Sequence, residues 1–479
     1  MFGLDYMRSH FTREQRYIIV AILSLFLPFT YCAVVLTFLS IRLTIKGEIQ
    51  KAYKEIPYSK CFILFSILTT VVSLIYQNYL GVIIGIGFLP FLSLIVYIRK
   101  YMSPRLFELS TSLLLALSLL AAFYGFLEYI AILNKIDIHT FELIIFNGPK
   151  QRINSFYYNA NYYAMMIEFF VAIAFYKIIT LGNIKRSYKK FFYYIIIIFV
   201  NLFMLVLTAC RTAWMAIPAC ILVMLIVSKH YKTCLSIGLC VCFIGMYFII
   251  NPSAFPRVDN IISYFLRRKW IWQTAIACIK DHPLFGEGSL TYFHVYEIYG
   301  GHATQHAHSV YLDPFLSYGI VGVLVVLPYI ISHIKGIIHK IKTNTNLNLM
   351  ALIVGMVIVV LVHGTMDYTV FFVQTGFLFL AIINSFQSDE HPDKPIIIST
   401  RKNIIVRNPH IKNIYVGFKA FDKLGSDYIK DLLEDIDVLL EHKDEVYKGV
   451  KIELSYDNDL SLYLDESDIH RFNVYELYN

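Results

Sequence analysis

"HATQHAHSVYLDPFLSYGIVG" occupies residues 302–322. Three histidines close a polar segment, and an apolar run begins almost at once. "HIKGIIHKIK" (333–342) ends that run with basic residues. About 20 apolar residues suffice to cross a bilayer as a helix. Lys and Arg collect in the short loops on the cytoplasmic side. The stretch therefore reads as a membrane span with a cytoplasmic basic end and an outward histidine-bearing end.

The rest of the chain repeats this pattern. Hydrophobic residues make up 57% of the 479 positions and mean hydropathy is +0.58, against about 45–50% apolar in soluble domains. Spans are expected near 17–42, 61–78, 79–98, 108–133, 157–180, 190–208, 213–228, 233–250, 313–333, 348–366 and 368–386. The fold class is an all-α polytopic membrane protein with about 11–12 transmembrane helices. The first apolar segment is too long for the core of a cleavable signal peptide, and no small-residue cleavage site follows it. "KGEIQKAYKEIPYSK" (46–60), "RKYMSPR" (99–105), "NIKRSYKK" (183–190) and "KHYK" (229–232) mark the cytoplasmic side. Arg8, Arg13 and Arg16 place the N-terminus there too, which favours twelve spans with a break near Pro28. Segments 134–156, 209–212, 251–312 and 363–367 then face outward.

Charge divides the chain. Residues 388–479 carry 12 Lys+Arg and 19 Asp+Glu, a net of −7, and the preceding part carries +15. A basic excess in membrane loops argues for lipid contact rather than nucleic acid. Two domains are expected: a membrane body over 1–387, with a large outer loop at 251–312, and an acidic cytoplasmic α/β tail over 388–479. In the tail, "NIYVGFKAF" and "KIELSY" read as strands, and 427–447 has apolar residues at helical spacing. No catalytic motif is evident there, so a docking or regulatory role with a cytoplasmic partner is the expectation. Of the eight cysteines, only Cys240 and Cys242 lie close together, without zinc or redox spacing.

The outward arginines carry the first chemical signal. Arg211 sits in "ACRTAW" (209–214), between two spans with almost no loop. It is either an interfacial arginine reaching lipid phosphates or a ligand for an anionic substrate. Arg267 and Arg268 open "RRKWIW", in a segment where Ile271, Ala275 and Cys278 suggest an amphipathic helix. "DHPLFGEG" (281–288) reads as its stop and turn. Arg152 precedes another span, and the three tryptophans, Trp214, Trp270 and Trp272, all neighbour outward arginines. Guanidinium groups bind phosphate through paired hydrogen bonds, so a lipid pyrophosphate suits this face.

Among the histidines, His302, His306 and His308 lack a nearby carboxylate or cysteine to complete a zinc set. A general base is the better functional role, with ordinary loop histidines as the plain alternative. Asp313 before Pro314 reads as an N-cap with proline at the first helical position. Gly319 and Gly322 read as close helix packing. His363 and Asp367, four apart, either pair on one helical turn to orient a sugar or acceptor, or form a simple cap and turn. Glu128 and Glu168 are either protonated packing residues or substrate contacts.

These residues resemble those of the O-antigen ligases and related Wzy-type O-antigen polymerase-like proteins, membrane glycosyltransferases of GT-C-like fold. The family pattern is His, then Asn, Ser or Gln, nine residues, then Gly-x-x-Gly. Here it reads His308, Ser309, nine residues, Gly319, Ile320, Val321, Gly322. "RINSFYYNANYYA" (152–164) resembles the family's Arg-x-x-Gly…Asn-Pro-Asn segment, with Ser155 and Ala160 where Gly and Pro are usual. "ACRTAW" resembles its short arginine turn. Arg268 followed by Trp272, then "HPLFGEG", resembles its Arg-x3-Trp and His-Pro-x-x-Gly-x-Gly, which selects Arg268 over Arg267. The resemblance covers roughly 17–386.

It implies transfer of a glycan from undecaprenyl pyrophosphate to an acceptor hydroxyl, with inversion and without metal, cofactor or nucleotide sugar. Arg211 and Arg268 would hold the pyrophosphate and His308 would take the acceptor proton. Arg152, Asn159, Asn161, Trp272, His363 and Asp367 would contact substrate. The acceptor is a glycan, lipid or protein, and the location is the bacterial cytoplasmic (inner) membrane with the site facing outward. A transporter or flippase of lipid-linked oligosaccharide is the rival reading, but it would place charges near the bilayer midplane. A scaffolding role leaves the Arg and His pattern unexplained.

Overall fold

In the computed structural model, the described residues are 11–134, 152–182, 187–251 and 261–386, plus five short strands between 396 and 464. The chain forms two compact units, 1–387 and 388–479. Arg8, residues 135–151, 183–186 and 252–260, and the helix expected at 427–447 lie outside the described residues.

Among the described residues of the first unit the regular elements are all helices. Helix α1 (Arg13–Ser24) starts with a capping box between Thr12 and Gln15. Pro28 then begins α2 (Phe29–Ile45), so the expected break falls where proline removes a backbone donor. Gly47, at φ 75°, turns the chain by 84° into α3 (Glu48–Glu55). That short helix occupies a segment read from the sequence as loop. It buries only Ile49, Ala52 and Tyr53, too few apolar positions to stand out.

Helices α4 (Cys61–Ile75), α5 (Tyr79–Tyr101) and α6 (Pro104–Leu133) follow, then α7 (Ala160–Ile179), α8 (Tyr188–Thr208), α9 (Ala213–Val227) and α10 (Tyr231–Ile250). After them come α11 (Ile261–Asp281), α12 (Thr291–Val295), α13 (Asp313–Lys342), α14 (Leu347–His363), a 3₁₀ turn (Thr369–Phe371) and α15 (Val373–Ile383). Six of these, α5, α6, α7, α8, α10 and α13, are long and apolar enough to cross a membrane, or seven if α2 and α3 form one bent span. This is fewer than the 11–12 expected. Helices α4, α9, α14 and α15 are apolar but have only 10–17 residues, and 15 residues rise only about 22 Å. Apolar windows overstate helix length where Gln77 turns left-handed after α4 and where the 3₁₀ turn precedes α15.

Helix α7 is the most enclosed of the six, with 78% of its apolar window buried, whereas none of α10's is. Around α7 the core gathers Phe169, Phe170, Met204, Met356 and Phe377. Gly355 of α14 meets Cys220 and Met224 of α9 so closely that a Cβ there would lie 2.6 Å from Met224.

Gly319 has a role beyond helix packing. It sits inside α13 at φ 60° and ψ −171°, where the helix breaks. The freed backbone pairs with the turn after α11: Ile320 N–H donates to Pro283 and Val321 N–H to Leu284, both at 2.9 Å, and Gly288 N–H donates to Ser317 at 2.8 Å. A Cβ on Gly319 would come within 2.3 Å of the Leu284 carbonyl oxygen. Ile271, Ala275 and Cys278 of α11 are buried, as their spacing implies, against Tyr292, Val295, Ala307 and Leu316.

In the second unit, β1 (Ile396–Ser399) pairs antiparallel with β2 (Ile404–Arg407). Strand β3 (Asn413–Gly417) runs parallel to β4 (Lys451–Ser455) and antiparallel to β5 (Leu462–Leu464). Strands β3 and β4 coincide with the two read from the sequence.

Candidate active site

The loop before α13 carries His308 in a left-handed conformation, φ 51°. A non-glycine residue keeps that conformation when its neighbours enforce it. Here the buried carboxyl group of Asp313 faces the backbone N–H groups of Ala307 and Ser309, one on each side of His308. Val310 N–H donates to Gly364 at 2.8 Å. Asp313 is thus the first helical residue, turned back onto the loop, rather than the expected N-cap. The Ser309 hydroxyl oxygen accepts instead, from the N–H groups of Tyr311 and Leu312.

This clamp aims His308 at Asp367. Nδ1 of His308 lies 2.6 Å from Oδ1 of Asp367, and Nε2 lies 2.8 Å from the Thr304 hydroxyl. A carboxylate only accepts, so the imidazole proton belongs on Nδ1 and the lone pair on Nε2. Asp367 is fixed by two further donors, Nδ2 of Asn161 at 2.5 Å and its neighbour Tyr368 N–H at 2.9 Å. A cavity of about 260 Å³ opens beside the pair, lined by Tyr158, Asn159, Tyr162, Thr304, Gln305, His306, His308 and Asp367.

Burial alone would push the Asp367 carboxyl up, but His308, His306 and Arg268 face it and hold it well below the usual carboxylate range. Burial pushes His306 down to about 3; His308 and Arg268 add to this, and Asp367 opposes it. Burial also lowers Arg268, with Asp367 as its counter-charge.

The sequence reading found no carboxylate to complete a metal set, yet the fold supplies one from 59 residues away. Donor atoms of His306, His308 and Asp367 lie within 4.8 Å of one another. Their hydrogen bonds argue against a ligand-ready set. Nδ1 of His306 accepts the N–H of His308 at 3.2 Å, so the ring proton sits on Nε2, the nitrogen facing Asp367. The 2.6 Å spacing between His308 and Asp367 is itself a charge-assisted hydrogen-bond distance.

The arginines divide between two places. Arg152 donates from Nε to Thr208 and from Nη2 to Oδ1 of Asn161, each at 2.6 Å. Arg211 follows a left-handed Ala209, and its guanidinium lies 5.0 Å from the Tyr264 ring centroid. Arg267 lies 5.7 Å from the same ring, whereas its neighbour Arg268 interacts with Asp367. Successive positions on a helix point about 100° apart, which sends these two side chains to different partners.

Of the six expected substrate contacts, Arg152, Asn161, His363 and Trp272 do not line the cavity. His363 is fully buried and bonds Glu168 at 2.7 Å, rather than pairing with Asp367. The helix ends at His363 and a turn follows, so Asp367 is no longer one helical turn above it. Trp272 is half-buried beside Phe265, in the core under α11. Asn159 does line the cavity, and it also caps α7 by accepting Asn161 N–H at 2.8 Å. Glu128, left open above, accepts the N–H groups of Asn154 and Ser155 at 2.9 and 2.8 Å. Ser155 has φ 51° there, a conformation that favours the glycine usual at this position. The roles of Asp313, Thr304 and Tyr264 had no signal in the sequence, because each depends on a contact that only the folded chain creates.

Residues 195–327 match the family model of the O-antigen ligases. No curated protein matches the chain. The O-antigen ligase match spans Arg211, Arg268, His308 and Gly319–Gly322. Arg152 lies before it and Asp367 after it. The match supports an O-antigen ligase- or polymerase-type function in polysaccharide assembly, by a multi-pass membrane protein.

Proposed function

We propose that the protein transfers a glycan from an undecaprenyl-pyrophosphate donor to an acceptor hydroxyl at the outer face of the bacterial cytoplasmic membrane. It would act as polymerase or ligase in the assembly of O-antigen, capsule or exopolysaccharide, on a helical scaffold of GT-C type. The observation that carries this reading is the His308–Asp367 pair beside a cavity, with His308 inside the O-antigen ligase match.

In this reading Nε2 of His308 takes the proton of the acceptor hydroxyl as its oxygen attacks the anomeric carbon. The bond from that carbon to the pyrophosphate oxygen breaks on the opposite face, so the configuration inverts. Lipid pyrophosphate leaves with the bonding electron pair, and Arg211 and Arg268 stabilise the added charge. Asp367 orients the imidazole and stabilises its protonated form, as a buried carboxylate does in other base pairs of this kind. Pyrophosphate is a good leaving group, so positioning and charge stabilisation suffice without a metal.

The test is a reconstituted transfer assay with a synthetic undecaprenyl-pyrophosphoryl glycan. Release of undecaprenyl pyrophosphate is expected, and it persists in excess EDTA. His308→Ala and Arg211→Ala each abolish turnover while protein levels hold. Full activity in both variants would sink the mechanism, and EDTA inactivation reversed by zinc would replace it with a metal-based one.

A further inference from the structure

We infer that Arg152 and Asn161 are positioning residues: together they form a strut that ties the Arg211 turn to the His308–Asp367 pair. The inference rests on the reading of His308 as the base. Neither residue lines the cavity. Both spend their hydrogen bonds on protein instead. The planar guanidinium of Arg152 holds two acceptors at once, the Thr208 carbonyl and Oδ1 of Asn161. Thr208 is the last residue of α8, three before Arg211.

With Oδ1 committed to Arg152, the amide of Asn161 has one orientation left. Its Nδ2 must face Asp367, and it donates to Oδ2. Asp367 then presents Oδ1 to His308. Four short bonds therefore connect the end of α8 to the imidazole. The base of the strut is also fixed, because Glu128 holds the backbone of Asn154 and Ser155, and Ser155 donates its hydroxyl to Ala121 at 2.7 Å. Reactivity is sensitive to such geometry, since a misplacement of about 1 Å can cost roughly 10²-fold in rate.

The test uses the full chain in proteoliposomes, with Arg152→Lys, Asn161→Ala and the near-isosteric Asn161→Asp. A strut predicts a fall in kcat of about tenfold or more that exceeds any rise in donor KM. A substrate contact predicts a rise in KM with kcat kept. Asn161→Asp adds a reading that mere misfolding does not give. The groups facing Asp367 are His306 and His308 from the loop, Arg268 from α11, Tyr162 from α7, Asp313 from α13 and the adjacent Tyr368. A new carboxylate among them disfavours ionised Asp367, so the acid limb of the kcat profile moves to higher pH. Independently of turnover, the rate at which diethyl pyrocarbonate modifies His308 is mapped by mass spectrometry. A changed rate in the variants supports the strut even if the wild type transfers no glycan, in which case only the catalytic reading fails. A rise in KM alone, or an unchanged modification rate, overturns the strut.

Discussion

Asp367 reaches across 59 residues of chain to hold Nδ1 of His308 at 2.6 Å, and the same carboxylate is held from its other oxygen by Asn161. A base whose partner is itself fixed on both sides has one orientation. Asp367→Asn keeps the shape and removes the charge. It should lower kcat on the order of 10²–10⁴-fold, the usual range for general acid–base groups. Steady-state transfer rates with a saturating donor check this; a loss under threefold contradicts the pairing.

Arg211 and Arg268 are assigned to the leaving pyrophosphate, and Arg268 also has Asp367 as its counter-charge. Arg211→Lys keeps the charge and loses the paired hydrogen bonds. Donor binding, measured with undecaprenyl pyrophosphate itself, should weaken in Arg211→Lys while acceptor KM stays put. Arg268→Ala should do more, because it also leaves a buried carboxylate with one cation fewer. The activity of that variant at low pH then separates charge loss from phosphate contact.

Acid should unfold the site from two directions. His306 is lowered from an ordinary 6.5 to about 3, so the unfolded chain takes up its proton first and stability falls as pH drops through that interval. Asp367 is held below the usual carboxylate range, so its contribution is present above about pH 4 and is lost as pH falls further. The melting temperature of the detergent-solubilised protein should decline below pH 6.5. His306→Gln should flatten the upper part of that decline and leave the lower part.

Two glycines give a contrast in stability. Gly319→Ala puts a methyl group 2.3 Å from a carbonyl oxygen and forces a left-handed alanine, with strain of about 1–3 kcal/mol. Gly87, inside α5, has open space at its Cβ position. Gly87→Ala should be neutral or stabilising by up to about 1 kcal/mol, the helix-propensity difference. Thermal melts of both variants in one detergent decide the comparison.

Much of this architecture was legible because apolar runs and basic loops obey simple rules. The break at Pro28, the buried face of α11 and strands β3 and β4 all follow from local pattern. Helix lengths did not follow, since a hydropathy window passes through a left-handed Gln77 without registering it. His308 and the arginines were readable as motif residues. The partner of His308 carried no signal: Asp367 lies four positions after His363, a spacing open to a shared helical turn or to a cap and turn, and the chain makes the turn. Asp313 likewise looked like a cap by its neighbour Pro314, and only the folded loop shows its carboxylate turned toward Ala307 and Ser309.

The break at Gly319 divides one long element between two sets of constraints. Main-chain bonds to the turn after α11 come from both sides of it, through Ser317 before and Ile320 and Val321 after, so the start of the helix belongs to the piece that carries His308 and Arg268. Further along, the Tyr329 hydroxyl donates to Asn384 and Nε2 of His333 lies 2.7 Å from the Ile383 carbonyl oxygen, so the lower helix is held at the end of α15. The two ends of one long element are thereby anchored to different parts of the fold. A shift at the α15 end meets the joint at Gly319 before it reaches the imidazole.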